Sequence, residues 1–188
     1  MAEQTPALSW FWDWAPNAAG EARDRWEDLI GAKAAADLIE RSGDLPPACH
    51  LMWGAGFLGD TPRWLPIVTL VEFREALRGD SAYLLGAVGA EGFDDDVREP
   101  VVEYISTRHG DGIRVLALAR SEDGTIHGRV DAALRLDRPA GDIDVLFTTR
   151  VSTLGELAVI GDGVDALMTM IADQSPGLQL IDDGTDLT

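Results

Sequence analysis

The sequence predicts an α+β domain, in which a single twisted antiparallel β-sheet of about six strands carries helices packed on its apolar face. Three observations support this. Four consecutive segments between residues 98 and 151 alternate apolar and polar side chains, with turn-forming residues between them. Two further apolar, β-rich segments precede them, and residues at helical spacing occupy both ends of the chain. Because alternation with period two places one set of side chains on each face of a sheet, the four segments predict an antiparallel meander.

The predicted strands of this C-terminal meander are Val101–Thr107, residues 112–120, Ile126–Leu136 and Ile143–Val151. A short turn beginning at His109 joins the first two strands, and Asp123 and Gly124 give the next connection a tight-hairpin signal. On the last two strands, one set of alternate apolar residues is predicted to be buried on one face of the sheet: Ile126, Val130, Leu134, Val145 and Phe147.

Upstream of the meander, residues 48–58 and 65–74 are predicted to form two paired strands. Apolar residues three and four apart predict a helix over residues 21–41, and a short helix capped by Asp80 or Ser81 is expected through Val88. After the meander, Thr153 and Glu156 match a capping box. Gly161 is predicted to end that turn, and a separate final helix is predicted over residues 162–174.

The length of 188 residues predicts one domain. We divide the chain into an aromatic N-terminal arm, residues 1–19, a single α+β domain, residues 20–175, and an acidic C-terminal tail, residues 176–188.

Charge and composition exclude several classes of function. The formal net charge of −18 repels nucleic-acid phosphates and anionic lipid headgroups, so neither a nucleic acid nor a membrane is expected as a partner. No membrane-spanning run or signal peptide is recognisable, which predicts a cytoplasmic protein. The chain has one lysine against fourteen arginines, which is typical of proteins from GC-rich bacterial genomes.

No motif predicts a catalytic, metal or cofactor site. The glycines between Gly54 and Gly59 match a dinucleotide-binding pattern, but Pro62 and Pro66 fall where its helix would run, so we interpret them as strand and turn residues. The single cysteine, Cys49, and the three histidines lack metal-ligand spacing, and residues 94–96, all aspartates, predict a solvated loop.

Two groups of residues are candidates for binding a partner. One is the aromatic N-terminal run, which either covers an end of the core or forms a docking surface. The other comprises arginines on the polar face of the meander, which either pair with carboxylates across strands or bind an acidic partner or a small anion. The candidates are Trp10, Phe11, Trp12, Trp14, Arg129, Arg135 and Arg150.

The sequence therefore favours a non-catalytic protein of the bacterial cytosol that binds a protein partner or associates with itself, without a cofactor. The alternative is a small-ligand-binding protein or an enzyme with a pocket between helix and sheet. A deep cavity with converging polar groups would favour the alternative, whereas a flat aromatic surface would favour a protein partner.

Overall fold

A computed structural model describes residues 9–15, 21–43, 50–58, 63–76, 81–139 and 141–174. Its elements are β1 (Ser9–Trp14), α1 (Glu21–Ile30), α2 (Ala32–Gly43), β2 (His50–Leu58), β3 (Arg63–Glu75), α3 (Ala82–Ala87), β4 (Val101–Thr107), β5 (Gly110–Arg120), β6 (Ile126–Leu136), β7 (Ile143–Val151), a 3-10 turn (Leu154–Glu156) and α4 (Leu157–Gln174). The predicted α+β class with one antiparallel sheet is confirmed. The sheet has seven strands rather than about six.

The strand order is β1-β2-β3-β7-β6-β5-β4, and every neighbouring pair is antiparallel. Strands β1 to β3 form one half of the sheet. The chain then crosses through α3 to the far edge and returns through the predicted meander, β4 to β7. Strand β7 closes the sheet by pairing with β3, with Val71 opposite Phe147.

The additional strand is β1, which lies at the edge of the sheet beside β2. It forms from residues 9–14 of the predicted aromatic arm. Trp12 lies opposite Gly54, and Trp14 lies opposite Met52. The bulky aromatic side chains of this run favour an extended backbone, since such residues pack well on a pleated surface. The predicted acidic tail, residues 176–188, lies outside the described residues.

Helix α4 covers one face of the sheet and forms the largest core with it. The buried members from β6 and β7 include Val130, Leu134, Val145 and Phe147, as the alternation predicted. The burial predicted for Ile126 is wrong, because this residue is 37% exposed. Ile126 is the first residue of β6 and pairs with Arg120 at the end of the ladder, where the sheet is less covered.

The opposite face of the sheet carries the other three helices. Trp26 and Leu38 of α1 and α2 pack on Trp53 and Val68, whereas α3 packs on β5 and β6. The single helix predicted over residues 21–41 is wrong, because the chain breaks at Gly31, whose φ of 86° is in the left-handed region that glycine tolerates. The sheet is therefore covered by helices on both faces.

The glycines of the apparent nucleotide motif make room for tryptophan rings. Gly54 and Gly56 lie within β2, which confirms the strand interpretation. A Cβ atom at Gly54 would approach the Trp12 ring to 2.5 Å, and one at Gly56 would approach the Trp10 ring to 2.9 Å. These positions require glycine because the neighbouring aromatic rings occupy the space of a side chain. The third glycine of the motif, Gly59, and the predicted cap Asp80 lie outside the described residues.

Helix α4 also uses glycines for close packing. The predicted break at Gly161 is wrong, since α4 continues through Gly161 and Gly163. A Cβ atom at Gly161 would lie 3.0 Å from Arg114 Nη1, and one at Gly163 would lie 2.6 Å from the Trp10 ring. The predicted capping box is wrong as well, because Thr153 makes no side-chain capping bond. Packing against the sheet thus outweighs the low helix propensity of glycine.

We predict that Gly163→Ala destabilises the protein, although alanine favours helix by about 0.5–1 kcal/mol. The added methyl group overlaps the Trp10 ring, and such overpacking costs about 1–3 kcal/mol. The matched control is Gly86→Ala in α3, where a Cβ atom would have no neighbour within 4 Å. Urea unfolding should show lower stability for the first variant and unchanged or higher stability for the second. Equal changes in the free energy of unfolding for the two substitutions would contradict the close contact between Gly163 and the Trp10 ring.

Candidate functional site

A row of charged side chains crosses β6 and β7 on the sheet face opposite α4. Arg129 is the most buried of them, at 1% exposure. It lies opposite Arg150 in the ladder, and two like charges at such a position repel each other. The carboxylates that surround the pair therefore determine whether this arrangement is stable.

All five N–H groups of Arg129 donate hydrogen bonds. Nε and Nη2 donate to the two carboxylate oxygens of Asp96, at 3.0 and 2.6 Å. Nη1 donates to Asp131 Oδ2 at 2.7 Å and to the carbonyl oxygen of Val88 at 3.0 Å, and Nη2 also donates to the carbonyl of Gly89 at 3.3 Å. Because every donor has a partner, burial of this cation leaves no N–H group unsatisfied.

Asp96 belongs to the loop for which the three consecutive aspartates predicted full solvation. That prediction is wrong for Asp96, whose side chain is only 4% exposed. The hydrogen bond from Arg129 is the largest influence on Asp96 and lowers its pKa. Burial opposes the charge of Arg129, but its hydrogen bonds to Asp96 and Asp131 outweigh burial and raise the pKa of Arg129. The loop is thus attached to the sheet by an ionised pair.

Asp131 links this buried network to a more open arginine. Its Oδ2 accepts from Arg129, and its Oδ1 accepts from Arg150 Nη1 at 2.9 Å. The Arg150 side chain is 45% exposed. Its Nη1 also donates to the carbonyl of Thr149, whereas Nε and Nη2 have no partner within the described ranges. One side of the Arg150 guanidinium is therefore fixed, and the other is available to a ligand.

Arg150 is one of the residues that line a cleft of about 340 Å³ between α2 and the ends of β6 and β7. We call this the α2–β7 cleft, and its lining is Arg41, Val68, His127, Thr148, Arg150, Val151 and Ser152. Arg41 comes from the last turn of α2 and pairs with Asp37 at 2.9 Å. His127 contacts the hydroxyl of Ser121 through Nδ1 at 3.2 Å. The lining combines cations and hydroxyl groups with the apolar side chain of Val68.

The other predicted partner-binding residues lie elsewhere. Trp10 and Trp12 pack in the α4 core, and Phe11 lies edge-on to Trp26, with ring centroids 5.3 Å apart. Trp14 is 38% exposed beside His50 and Phe73. Arg135 makes two hydrogen bonds to Asp144, which also accepts from Tyr83. Of the seven candidates, the structure brings only Arg150 into the α2–β7 cleft, and a partner-binding role for the others stays a prediction.

A second buried arginine lies on the α4 face. Arg114 pairs with Glu103 of β4 and with Asp162 and Asp165 of α4. Burial raises the pKa of Asp165 to about 6, against the opposing effect of Arg114. In the part of the chain that the structure describes, no three His, Cys, Asp or Glu side chains are placed to hold a metal ion. We therefore interpret the Arg114 cluster as a structural connection between sheet and helix.

Sequence reasoning missed Arg41 and His127 as members of the cleft. His127 could have been found, because it lies on the polar side of the same strand as Arg129. Arg41 could not, because its position depends on the break at Gly31 and on how α2 crosses the sheet.

Comparison with known proteins adds no family. No protein-family model matches the chain, and no curated protein matches it either. Among the described residues, no helix has the length and apolar character required to cross a bilayer. The candidate function therefore depends on the geometry of the cleft.

We predict that Arg129→Gln lowers the free energy of unfolding by about 3–5 kcal/mol, because it leaves Asp96 buried without its cation and removes one of the two arginines that pair with Asp131. Arg150→Gln, at the half-exposed cross-strand neighbour, should cost about 1 kcal/mol or less. Since the pKa of Asp96 is lowered in the folded state, its contribution is present above its ordinary value of 3.8 and is lost as the pH falls through the folded value. The difference between wild type and Arg129→Gln in chemical unfolding should thus shrink in acid. A pH-independent difference, or equal costs for the two variants, would contradict this account.

Proposed function

We propose that the protein is a non-catalytic binding protein that holds a small organic anion in the α2–β7 cleft. The ligand carries a carboxylate or phosphate group, which lies between Arg41 and Arg150. This is the small-ligand alternative of the sequence analysis. The observation that supports it is the convergence of two arginines, a histidine and two hydroxyl side chains in one cleft of a chain with net charge −18.

The electrostatics of the cleft favour an anion over a cation. The described residues of the lining include no carboxylate, and the nearby Asp131 and Asp37 are each paired with an arginine. Arg150 keeps Nε and Nη2, which can form the two parallel hydrogen bonds that carboxylate and phosphate groups accept. Asp131 holds the guanidinium in place, so little side-chain entropy is lost when an anion binds.

The size and walls of the cleft suit a small molecule. A volume of about 340 Å³ is at the lower end of the range for small-molecule pockets. Val68 provides an apolar wall for the carbon part of the ligand, while Thr148 and Ser152 offer hydroxyl groups. Few polar groups on an apolar wall are typical of sites that select a ligand by orientation.

Binding rather than catalysis is proposed because of what the lining residues contact. The Nδ1 atom of His127 contacts Ser121 at 3.2 Å, and no carboxylate among the described residues orients the histidine ring. General base catalysis usually depends on such an orienting group. The arrangement provides donors for an anion without an activated nucleophile.

We predict that inorganic phosphate and succinate each produce saturable chemical-shift changes at the cleft in NMR titrations of the full chain. Arg150→Gln and Arg41→Gln should each weaken binding about tenfold, as expected for loss of a charged hydrogen bond. The two probes distinguish a preference for phosphate from a preference for carboxylate groups.

The matched control for this titration is Arg74→Gln. Arg74 is 51% exposed and pairs with Glu72 toward the other end of the same sheet face, so its loss changes the net charge equally. An equal loss of affinity in Arg74→Gln would indicate general electrostatic attraction only. Absence of saturable shifts up to about 50 mM of either anion would overturn the proposed function.

A further inference from the structure

Strand β4 ends the sheet on the side away from β1, and no described strand lies beyond it. A two-residue turn joins it to β5, with Thr107 opposite Gly110. In antiparallel pairs, hydrogen-bonded and non-hydrogen-bonded positions alternate, and the residues that flank such a turn are bonded. Val101, Glu103, Ile105 and Thr107 therefore bond to β5. The backbone N–H and C=O groups of Val102, Tyr104 and Ser106 point outward.

Within Val101–Thr107, this outer edge lacks most of the features that usually prevent strand pairing. Proteins protect sheet edges with lysine, proline, bulges or inward-pointing charges. Strand β4 contains no lysine and no proline, and its single charged residue, Glu103, is paired with Arg114. The Tyr104 side chain is 79% exposed and Val101 is 51% exposed. The edge therefore presents both backbone groups and apolar surface to a further strand.

We propose that β4 pairs with β4 of a second copy of this chain, antiparallel and with Tyr104 on the two-fold axis. The outward-facing residues Val102, Tyr104 and Ser106 are arranged symmetrically about Tyr104. In this register Tyr104 faces its own copy, and Val102 of each chain faces Ser106 of the other. Every outward N–H and C=O group of the three residues then has a partner, as a closed two-fold interface requires.

The charges near β4 fit this register. Glu103 lies opposite Ile105 of the other copy, so the two Glu103 carboxylates do not face each other. At each end of the paired strands, exposed Arg108 in the turn after β4 of one copy lies on the same side of the interface as exposed Glu99, which precedes β4 of the other copy. By symmetry this attraction occurs at both ends of the interface. Charge complementarity and the matching backbone groups together favour a second copy as the partner.

The register makes a cross-linking test specific to one residue. The Cα atoms of a bonded antiparallel pair lie about 5.5 Å apart, which is within the range of a disulfide. In a Cys49→Ser background, Tyr104→Cys should therefore form a covalent dimer on mild oxidation. Ser106→Cys is the matched control, because its two copies would lie four residues out of register, about 13 Å apart. Equal cross-linking at both positions, or none at Tyr104→Cys, would overturn the proposed register.

Sedimentation equilibrium of the full chain provides a second test without cysteine. Wild type should show a reversible monomer–dimer equilibrium. Glu99→Arg and Arg108→Glu should each weaken the dimer several-fold, and the double variant should restore it because the charges are exchanged. As a control, Arg74→Glu on β3 should leave the affinity of the dimer unchanged. Combining it with Glu99→Arg should not restore the affinity that Glu99→Arg loses. A monomer at every concentration up to about 500 µM, or charge exchange without restoration, would overturn the proposal.

Discussion

The ion pair between Arg129 and Asp96 is the interaction on which the position of the crossover between the two halves of the sheet depends. The chain leaves β3, passes through α3 and reaches the opposite edge of the sheet. Among its described residues, this crossover contributes few buried side chains, chiefly Leu84 and Val88. Arg129 connects the crossover to the centre of the sheet through Asp96 and through the carbonyl groups of Val88 and Gly89. Because a buried guanidinium is tolerated only when its donors are satisfied, the crossover has one favourable position. Gly89 contributes to that position, because its carbonyl oxygen accepts a hydrogen bond from Arg129 Nη2 while its φ is 63°.

The same network determines the chemistry of the α2–β7 cleft. Asp131 is shared between Arg129 and Arg150, so the charge buried in the sheet also fixes the arginine at the surface. Two arginines with Asp96 and Asp131 form a neutral group, which reduces repulsion between the cross-strand cations. An arriving anion therefore meets a guanidinium that is already oriented. The chemistry of the cleft therefore depends on the buried charges of the sheet as well as on the shape of the cleft.

The sequence predicted the strands well because alternation with period two is local: β4 to β7 follow directly from it, and Phe147 is buried as expected. It failed where a distant contact determines the outcome. Gly161 and Gly163 remain in a helix because Arg114, Leu116 and Trp10 occupy the space beside them. Three consecutive aspartates predict a solvated loop. Asp96 is buried instead because it binds Arg129, which lies more than thirty residues later in the chain. Among the cleft residues, Arg150 was a predicted binding residue because of its place on the polar face of its strand. The position of Arg41 depends on the angle at which α2 crosses the sheet, and hydrophobic periodicity gives no information about that angle.

The role of Arg129 is tested most directly by amide hydrogen exchange in Arg129→Gln. Opening of the crossover should expose the amides that attach it to β5, namely Val97 N–H, which donates to Leu118, and Arg120 N–H, which donates to Asp95. We expect these two amides and those of α3 to lose much of their protection against exchange. Amides in the ladder between β2 and β3 should lose less protection, and by a uniform amount. Unchanged protection at Val97 and Arg120, or an equal loss of protection throughout the sheet, would contradict the view that this pair holds the crossover in place.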